Sequence, residues 1–110
     1  MGSPSLPEPV AAYLRAKRSH DSEALVATLT EDALITDDGR RYQGADAVRA
    51  WNDEASKKVR ATYEVKDVAD DDGRTLVTVE VGGDFPGSPV VLRFDFTVDG
   101  DKISALTIAP

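Results

Sequence analysis

Residues 82–98, with the sequence GGDFPGSPVVLRFDFTV, decide the fold. Their first half, residues 82–89, predicts a loop because its prolines cannot donate to a strand ladder and its glycines favour turns. Their second half alternates strictly, so the apolar side chains at 90, 92, 94, 96 and 98 lie on one face of a strand. Residues 75–81 alternate in the same way, and the two runs predict an antiparallel pair joined by the loop.

The composition fits one globular domain with a single core, at 110 residues, 41% hydrophobic and 30% charged. The absence of cysteine excludes disulfides and thiolate metal sites, and a single histidine excludes a multi-histidine metal site within one chain. The net charge of -7 argues against binding to nucleic acid or to an anionic membrane surface. The sequence has no membrane-spanning run or signal pattern, so a cytoplasmic location is the default expectation.

The N-terminal half predicts three helices and one short hairpin. The first helix runs from Pro7 to about Ser19, and the second begins at Asp21, a residue type suited to an N-cap. The Asp38-Gly39 pair is typical of a tight hairpin turn, and the third helix follows the hairpin and ends near residues 57–58. The inner faces expected for the three helices are Val10, Tyr13, Leu14 and Lys17, then Leu25, Val26 and Leu29, then Val48, Trp51 and Ala55.

The C-terminal half predicts four long antiparallel strands, at residues 60–69, 75–83, 90–99 and 102–109. We expect residues 1–6 to be a disordered N-terminal tail and residues 7–110 to form the domain. The economical architecture is α+β, with three N-terminal helices packed on the concave side of a strongly curved antiparallel sheet. Because such a sheet cannot close fully around few helices, we expect a cone-shaped pocket, a common place for a ligand.

Several short motifs carry a resemblance to a known family. In chain order they are Tyr13 with Ala16, His20-Asp21, Asp32-Ala33, Gly44-x-x-Ala47-Val48-Arg49-x-Trp51, Phe85-Pro86-Gly87-Ser88-Pro89 and Asp101-Lys102-Ile103. Over about residues 8–109 they resemble the nuclear transport factor 2-like (NTF2-like) superfamily and, within it, the SnoaL-like (polyketide cyclase-like) proteins. The resemblance implies the cone-shaped fold and a homodimer through the outer sheet face. It leaves function open, because this fold hosts several enzyme classes and non-catalytic domains.

A more distant resemblance, to ketosteroid isomerase of the same superfamily, bears on the chemistry. Its motif resembles this chain without gaps from Tyr13 to Asp37, and it places an oxyanion-donating tyrosine at Tyr13 and a proton-transferring aspartate at Asp37. The third member of that site, a protonated carboxylic acid, falls on or near Phe94. Phenylalanine cannot donate a hydrogen bond, so the resemblance does not extend to steroid isomerisation as such.

Tyr13 and Asp37 are therefore the candidate catalytic residues. In an apolar pocket a carboxylate gains basicity and can abstract a proton, while a phenol stabilises the negative charge that develops. The resemblance implies this pair of roles. The alternative is structural, with Tyr13 packed in the core, its hydroxyl bonded, and Asp37 capping the turn that follows.

Four further residues are candidates for binding a ligand, namely Trp51, Tyr63, Phe94 and His20. Trp51 on a helix stripe is usually a core residue, which is the alternative for this position. His20 is suited either to shuttle a proton or to lie at the end of the first helix, where a cation favours the helix dipole.

Arg93 and Asp95 lie on the polar face of the strand at residues 90–99. They predict a cross-strand ion-pair network or a contact between the sheets of two subunits.

Together these patterns predict a pocket protein for a small, apolar, carbonyl-containing molecule. In the first hypothesis it is an isomerase or cyclase, with Asp37 abstracting a proton and Tyr13 donating to the oxyanion, and no metal or organic cofactor is implied. In the second it is a non-catalytic ligand-binding or dimeric assembly domain, with a pocket that is small or filled by aromatic side chains. The direction of the Asp37 side chain, into a cavity or towards solvent, distinguishes them.

Overall fold

The computed structural model of the chain describes residues 6–58 and 60–110. Residues 1–5 of the predicted tail lie outside these ranges, while Leu6 packs against the core. The elements are, in chain order, α1 (Glu8–Arg18), α2 (Ser22–Val26), β1 (Leu29–Asp37), β2 (Arg40–Gln43), α3 (Ala45–Lys58), β3 (Thr62–Asp71), β4 (Arg74–Gly82), β5 (Val90–Asp99) and β6 (Lys102–Ala109). Within the described ranges, no helix has the length and apolar character needed to cross a membrane.

The first two helices begin directly after residue types that favour a helix start. α1 starts after Pro7, with the acidic Glu8 in its first turn and the basic Arg18 in its last, and both charges favour the helix dipole. Asp21 is the N-cap of α2, and its carboxylate accepts a hydrogen bond from the Ala24 N–H at 3.1 Å. The predicted N-cap is therefore confirmed.

The predicted hairpin turn is also confirmed. Asp38 and Gly39 both have positive φ, at 53° and 80°, as a two-residue turn between twisted antiparallel strands requires. β1 and β2 pair across this turn, with Asp37 opposite Arg40. The hairpin thereby sets Asp37 at the very end of its strand.

Over the described part of the chain, six strands form one sheet in the order β2-β1-β6-β5-β4-β3. β4 and β5 pair antiparallel as predicted, with Val77 opposite Phe94 and Val79 opposite Leu92. β1 pairs with β6 in parallel, so the sheet is mixed, and the hairpin extends it rather than standing apart. The predicted α+β architecture, with three helices on a curved sheet, is confirmed with this one change in strand direction.

The core lies between the helices and the inner face of the sheet. The predicted alternation holds, since Phe94 and Phe96 of β5 are buried while Val91, on the other face, is 53% exposed. The largest fully buried side chains are Tyr13, Phe94, Phe96, Leu14, Leu25, Ile35, Ile103, Leu106, Val10, Val48, Val77 and Val79.

Two details of the helix faces differ from the prediction. Leu29 begins β1 instead of continuing the face of α2. On α3, Val48 is buried as expected, but Ala55 is exposed, and the polar Asn52 is buried in its place. The reason is a partner on α1, because the Asn52 side chain hydrogen-bonds the buried side chain of Lys17.

Candidate functional site

Asp37 lies at the end of β1, half-buried, with its side chain directed to α3. Its Oδ2 atom accepts a hydrogen bond from the Trp51 Nε1–H at 3.0 Å. Among the described residues its other oxygen, Oδ1, accepts no hydrogen bond from the protein. The carboxylate is thus held in place at one oxygen while the second remains available.

An open cleft of about 780 Å³ adjoins this carboxylate, between the β1–β2 turn and α3. Its walls combine aromatic and alanine side chains with charges of both signs, and the lining residues are Asp37, Asp38, Arg40, Tyr42, Ala47, Ala50, Trp51, Glu54, Ala55 and Lys58. The Tyr42 and Trp51 rings lie 5.7 Å apart between centroids, at an angle of 31°. The cleft therefore offers an apolar aromatic wall with a carboxylate at one end.

Tyr13 projects from α1 into the core and does not line this cleft. Its ring meets Phe96 edge-on, with centroids 5.3 Å apart. Its hydroxyl is buried and has no hydrogen-bond partner among the described residues. Burial raises the pKa of Tyr13 well above its ordinary value, and the neighbouring Tyr63 and the charge of Asp37 act in the same direction. The phenol therefore stays protonated, with an unused donor.

Lys17 is a buried cation one helical turn after Tyr13, and it was not among the predicted site residues. It is 6% exposed, and its Nζ donates to Asn52 Oδ1 at 2.7 Å. The same Nζ lies 4.2 Å from the Trp51 ring centroid and 5.8 Å from that of Tyr63. Burial lowers the pKa of Lys17 to about 8, and the charge of Asp37 partly opposes the shift. The sequence signal was a lysine on the apolar stripe of α1.

A chain of side-chain hydrogen bonds leads from Lys17 to the surface. Asn52 Nδ2 donates to Ser22 Oγ at 2.9 Å, and Ser22 Oγ–H donates to Asp53. Both Asn52 and Ser22 are buried, so each polar group is satisfied by the next. This network fixes the lysine amine against α3.

His20 lies at the junction of α1 and α2, beside the C-terminal part of α3, and does not line the cleft. Its Nε2 lies 3.2 Å from the Ala61 carbonyl oxygen, which only accepts, so Nε2 carries a proton. Its Nδ1 lies 3.1 Å from Ser56 Oγ. Tyr63 lies between His20 and Lys17: its ring centroid is 6.5 Å from that of His20 and 5.8 Å from Lys17 Nζ. Burial, and then the charge of Asp37, raise the pKa of Tyr63.

Phe94 is a core residue, 1% exposed, with its ring 6.1 Å from that of Phe96. On the opposite face of β5, Asp95 pairs with Arg74 of β4, whose Nη1 donates at 2.9 Å. A cross-strand ion pair is thus present, but its cation is Arg74, while Arg93 is exposed.

The structure therefore divides the predicted site residues into three groups. Asp37 and Trp51 meet at the cleft, Tyr13 and Tyr63 lie behind them within electrostatic reach of Asp37, and Phe94 and His20 lie apart. Within residues 6–58 and 60–110 no three histidine or acidic side chains are grouped to hold a metal ion.

Comparison with known proteins agrees with this architecture. The SnoaL-like domain model matches residues 10–105. A "putative polyketide cyclase" from Sinorhizobium meliloti is 37% identical, with a TM-score of 0.89 and 94% of each chain covered. Among curated proteins, none matches the chain.

Two further solved structures share the fold at lower identity. A protein from Catenulispora acidiphila with a ketosteroid isomerase-like fold, in complex with trimethylamine, is 16% identical with a TM-score of 0.84, covering 96% of this chain and 87% of that one. A computationally designed 17-OHP binder is 19% identical with a TM-score of 0.79, covering 94% and 88%.

The family match spans nearly the whole of the described domain, from α1 to β6. The motifs, the three helices on a curved sheet and the S. meliloti structure all agree with it. The chain belongs to the SnoaL-like domain family.

Proposed function

We propose that this protein binds a small, apolar, carbonyl-containing molecule at the cleft beside Asp37 and acts on it as an isomerase or cyclase. In this proposal Asp37 abstracts a proton from the carbon next to the carbonyl, and Tyr13 donates to the oxygen that becomes negative. Trp51 and Tyr63 contact the apolar part of the molecule. Phe94, in the core, and His20, away from the cleft, have no contact with the molecule in this proposal.

The observation that carries the proposal is the setting of the Asp37 carboxylate. It borders a cleft with an aromatic wall, one oxygen is held by the Trp51 indole, and the other accepts no hydrogen bond from the described residues. A general base needs this combination of fixed position and an available oxygen.

The unused hydroxyl of Tyr13 supports the second role. A buried hydroxyl without a partner is costly, by about 1–3 kcal/mol, so its retention favours a partner that arrives with the ligand. Trp51 stands between the cleft and the buried side chains behind it, and we propose that the ligand reaches Tyr13 past this ring while the indole keeps its hydrogen bond to Asp37.

The S. meliloti relative extends the proposal to a reaction type. It is named as a "putative polyketide cyclase", and a polyketide is a chain of carbonyl groups with acidic carbon–hydrogen bonds between them. Removal of one such proton would start ring closure on a neighbouring carbonyl. The designed protein of this fold is named as a 17-OHP binder, which supports the idea that the fold can hold a ligand.

Hydrogen–deuterium exchange tests the catalytic role. Apolar ketones such as cyclohexanone and β-tetralone are incubated with protein in heavy water, and loss of the proton next to the carbonyl is followed by NMR. We expect wild type to accelerate exchange and Asp37→Asn to lower the rate by about 10²–10⁴-fold. Asp38→Asn is the matched control, because Asp38 also lines the cleft but lies in the turn. Equal exchange by wild type and Asp37→Asn would contradict the assignment.

A second candidate function is non-catalytic ligand binding, favoured by one observation. The Trp51 indole already occupies an oxygen of Asp37, as it would in a site where that carboxylate only positions the aromatic wall. Trp51 is the only tryptophan, so its fluorescence reports directly on occupancy of the cleft. Ketones that change this fluorescence without any exchange would support binding alone.

We also propose that the protein forms a homodimer through the outer face of the sheet. Val91 is 53% exposed there, on a face that otherwise carries polar side chains such as Arg93. Sedimentation of wild type should show a dimer, Val91→Glu should shift it towards monomer, and Val91→Thr should leave it unchanged. A wild-type monomer at all concentrations would contradict the proposal.

A further inference from the structure

The C-terminal part of α3 borders a second surface cleft, separate from the one beside Asp37. Its volume is about 390 Å³, and the lining residues are His20, Asp53, Ser56, Lys57 and Arg60. None of these five residues lines the first cleft, although Ala55, the neighbour of Ser56 in the chain, does. The second cleft therefore brings together a hydroxyl, an imidazole and charged groups that the proposed function does not use.

Ser56 and His20 form a hydrogen bond in this cleft, and its direction follows from the other side of the imidazole ring. His20 Nε2 lies 3.2 Å from the Ala61 carbonyl oxygen, which only accepts, so Nε2 carries a proton. In the neutral imidazole Nδ1 is then the acceptor, and the Ser56 hydroxyl, 3.1 Å away, donates to it. The serine proton thus already lies on the path to a base.

The imidazole of His20 is fixed in its orientation. Its two ring hydrogen bonds reach the last turn of α3 and the residue before β3. The backbone of His20 has a φ of 54°, a left-handed conformation that residues other than glycine rarely adopt. Such conformations persist where the surrounding structure holds them, and they cluster at functional sites. Both Ser56 and His20 are half-buried, so each is held by the protein and still borders the cleft.

The charges around this pair favour transfer of the serine proton. The C-terminal end of α3 is the negative pole of its helix dipole, which stabilises an imidazolium ion beside it. Lys57 and Arg60 place positive charge at the same cleft, and within the described ranges neither forms an ion pair with a carboxylate. Asp53, the carboxylate of the cleft, accepts a hydrogen bond from Ser22. The two cations are therefore available to a negatively charged ligand.

We infer that Ser56 is a nucleophile and His20 its general base, in a second site that hydrolyses carboxylic esters. A hydroxyl and an imidazole in hydrogen-bond contact, with the imidazole oriented by a third group, form the arrangement that activates a serine. The acyl part of the ester carries a carboxylate, which Lys57 and Arg60 bind. This site does not depend on the function proposed for the first cleft.

The reaction needs only the ester and water. Ser56 Oγ bonds to the ester carbonyl carbon, the π electrons move to the carbonyl oxygen, and the hydroxyl proton passes to His20 Nδ1. When the C=O bond forms again, the bond to the alcohol oxygen breaks, and the alcohol leaves with the proton from Nδ1. Water then attacks the acyl-serine and gives a proton to Nδ1. The acid is released as Ser56 recovers that proton.

Acylation by an activated ester tests the inference. The protein is incubated with mono-4-nitrophenyl adipate, whose acyl chain ends in a carboxylate, and release of 4-nitrophenolate is followed by absorbance. Samples quenched in acid are mapped by mass spectrometry. Hydroxylamine treatment distinguishes an ester on serine, which it cleaves, from an amide on lysine. We expect a hydroxylamine-sensitive adipoyl group on Ser56. Release no faster than in buffer, or acylation confined to lysines, would overturn the inference.

Variants of the two residues measure their contribution. Ser56→Ala and His20→Asn should each lower the rate of release by about 10²–10⁴-fold. Asparagine is chosen at position 20 because it tolerates positive φ but does not act as the base. Ser104→Ala is the matched control, because the half-buried Ser104 donates to the Thr97 carbonyl oxygen instead of an imidazole, and it should keep the wild-type rate. Circular dichroism verifies folding, and the mapping of wild type depends on no variant. A wild-type rate in Ser56→Ala would overturn the inference.

A comparison of two esters tests the recognition of the acyl charge. Lys57→Gln combined with Arg60→Gln should raise KM for mono-4-nitrophenyl adipate by about 3–10-fold, since each exposed charge pair contributes little. KM for the methyl ester of the same compound, which lacks the charge, should not change. Lys66→Gln, on β3 and outside the cleft, is the control for loss of a lysine. Equal changes for the two esters would overturn the assignment of Lys57 and Arg60.

Discussion

The space between the helices and the sheet is packed in opposite ways at its two ends. Beneath α1 and against β5 it is filled, with Tyr13, Phe94 and Phe96 each no more than 1% exposed. Beside α3 and the end of β1 the same layer holds a buried lysine, a half-buried indole and an open cleft. We call these the filled end and the polar end. The contrast teaches that one small sheet can support a close-packed core at one end and an open cleft with polar side chains at the other.

The filled end should dominate the stability of the protein. Phe96→Ala would remove a fully buried ring that packs on Tyr13 and Phe94, and we expect it to lower the free energy of unfolding by about 3–5 kcal/mol. Urea unfolding measures this change. Val91→Ala on the same strand is the control, with a change within about 0.5 kcal/mol because its side chain is half in water. Equal losses in the two variants would remove the contrast between the faces of β5.

The buried lysine of the polar end should make the free energy of unfolding depend on pH. The pKa of Lys17 is lowered by folding, so between pH 8 and about 10 the unfolded chain binds more protons than the folded one and stability rises with pH. The rise is on the order of 3 kcal/mol by the end of this window. Above pH 10 it reverses, because Tyr13 and Tyr63 ionise less readily when folded. Urea unfolding at a series of pH values measures both the rise in stability and its reversal.

Lys17→Met is the control for the pH profile. It removes the titrating amine while keeping a long apolar stem beside Trp51, and the rise between pH 8 and 10 should disappear. The charged groups near this amine are Asp37 and, when ionised, Tyr63, and both are retained in the variant. A rise of equal size in Lys17→Met would show that Lys17 is not its source.

Breaking the hydrogen-bond chain at Asn52 should lower the free energy of unfolding by less than Phe96→Ala does. Asn52→Ala leaves Lys17 Nζ and Ser22 Oγ without their shared partner, and we expect a loss of about 1–3 kcal/mol at pH 7. Asn52→Asp is the more specific test. A carboxylate beside Lys17 should raise the pKa of Lys17 and flatten the rise in stability above pH 8. An unchanged pH profile in Asn52→Asp would contradict direct contact between the two side chains in solution.

The smallest effect on stability is expected at the junction of α1 and α2. Asp21→Ala removes the N-cap of α2 and should lower stability by about 1 kcal/mol. Asp21→Ser restores an acceptor and should recover most of the loss. Thermal unfolding of the three proteins measures the difference, and an Ala variant as stable as the Ser variant would show that the cap contributes nothing.

The filled end was predictable because its signals are local. Alternation over residues 75–81 and 90–98 indicates which faces of β4 and β5 are buried. The pairing of β1 with β6 was not predictable, because strand alternation indicates a buried face but not the neighbouring strand.

The polar end was only partly predictable for the same reason. Asp37 and Trp51 were both singled out, but their hydrogen bond depends on how α3 lies across the end of β1. The sequence placed Lys17 on the inner stripe of α1, so its burial was predictable. Its hydrogen-bond partner was not, because Asn52 was not expected to face inward. A lysine and an asparagine that satisfy each other across two helices leave no pattern within either segment.

The parallel pairing of β1 with β6 has a consequence for how the protein is made. β6 stands between the hairpin β1–β2 and the meander β3–β4–β5, so the first and the last strands of this domain are neighbours. A nascent chain therefore carries two incomplete sheet fragments with open edges until the ribosome has released residues 102–109. The sheet of this domain can therefore be completed only after β6 has been synthesised.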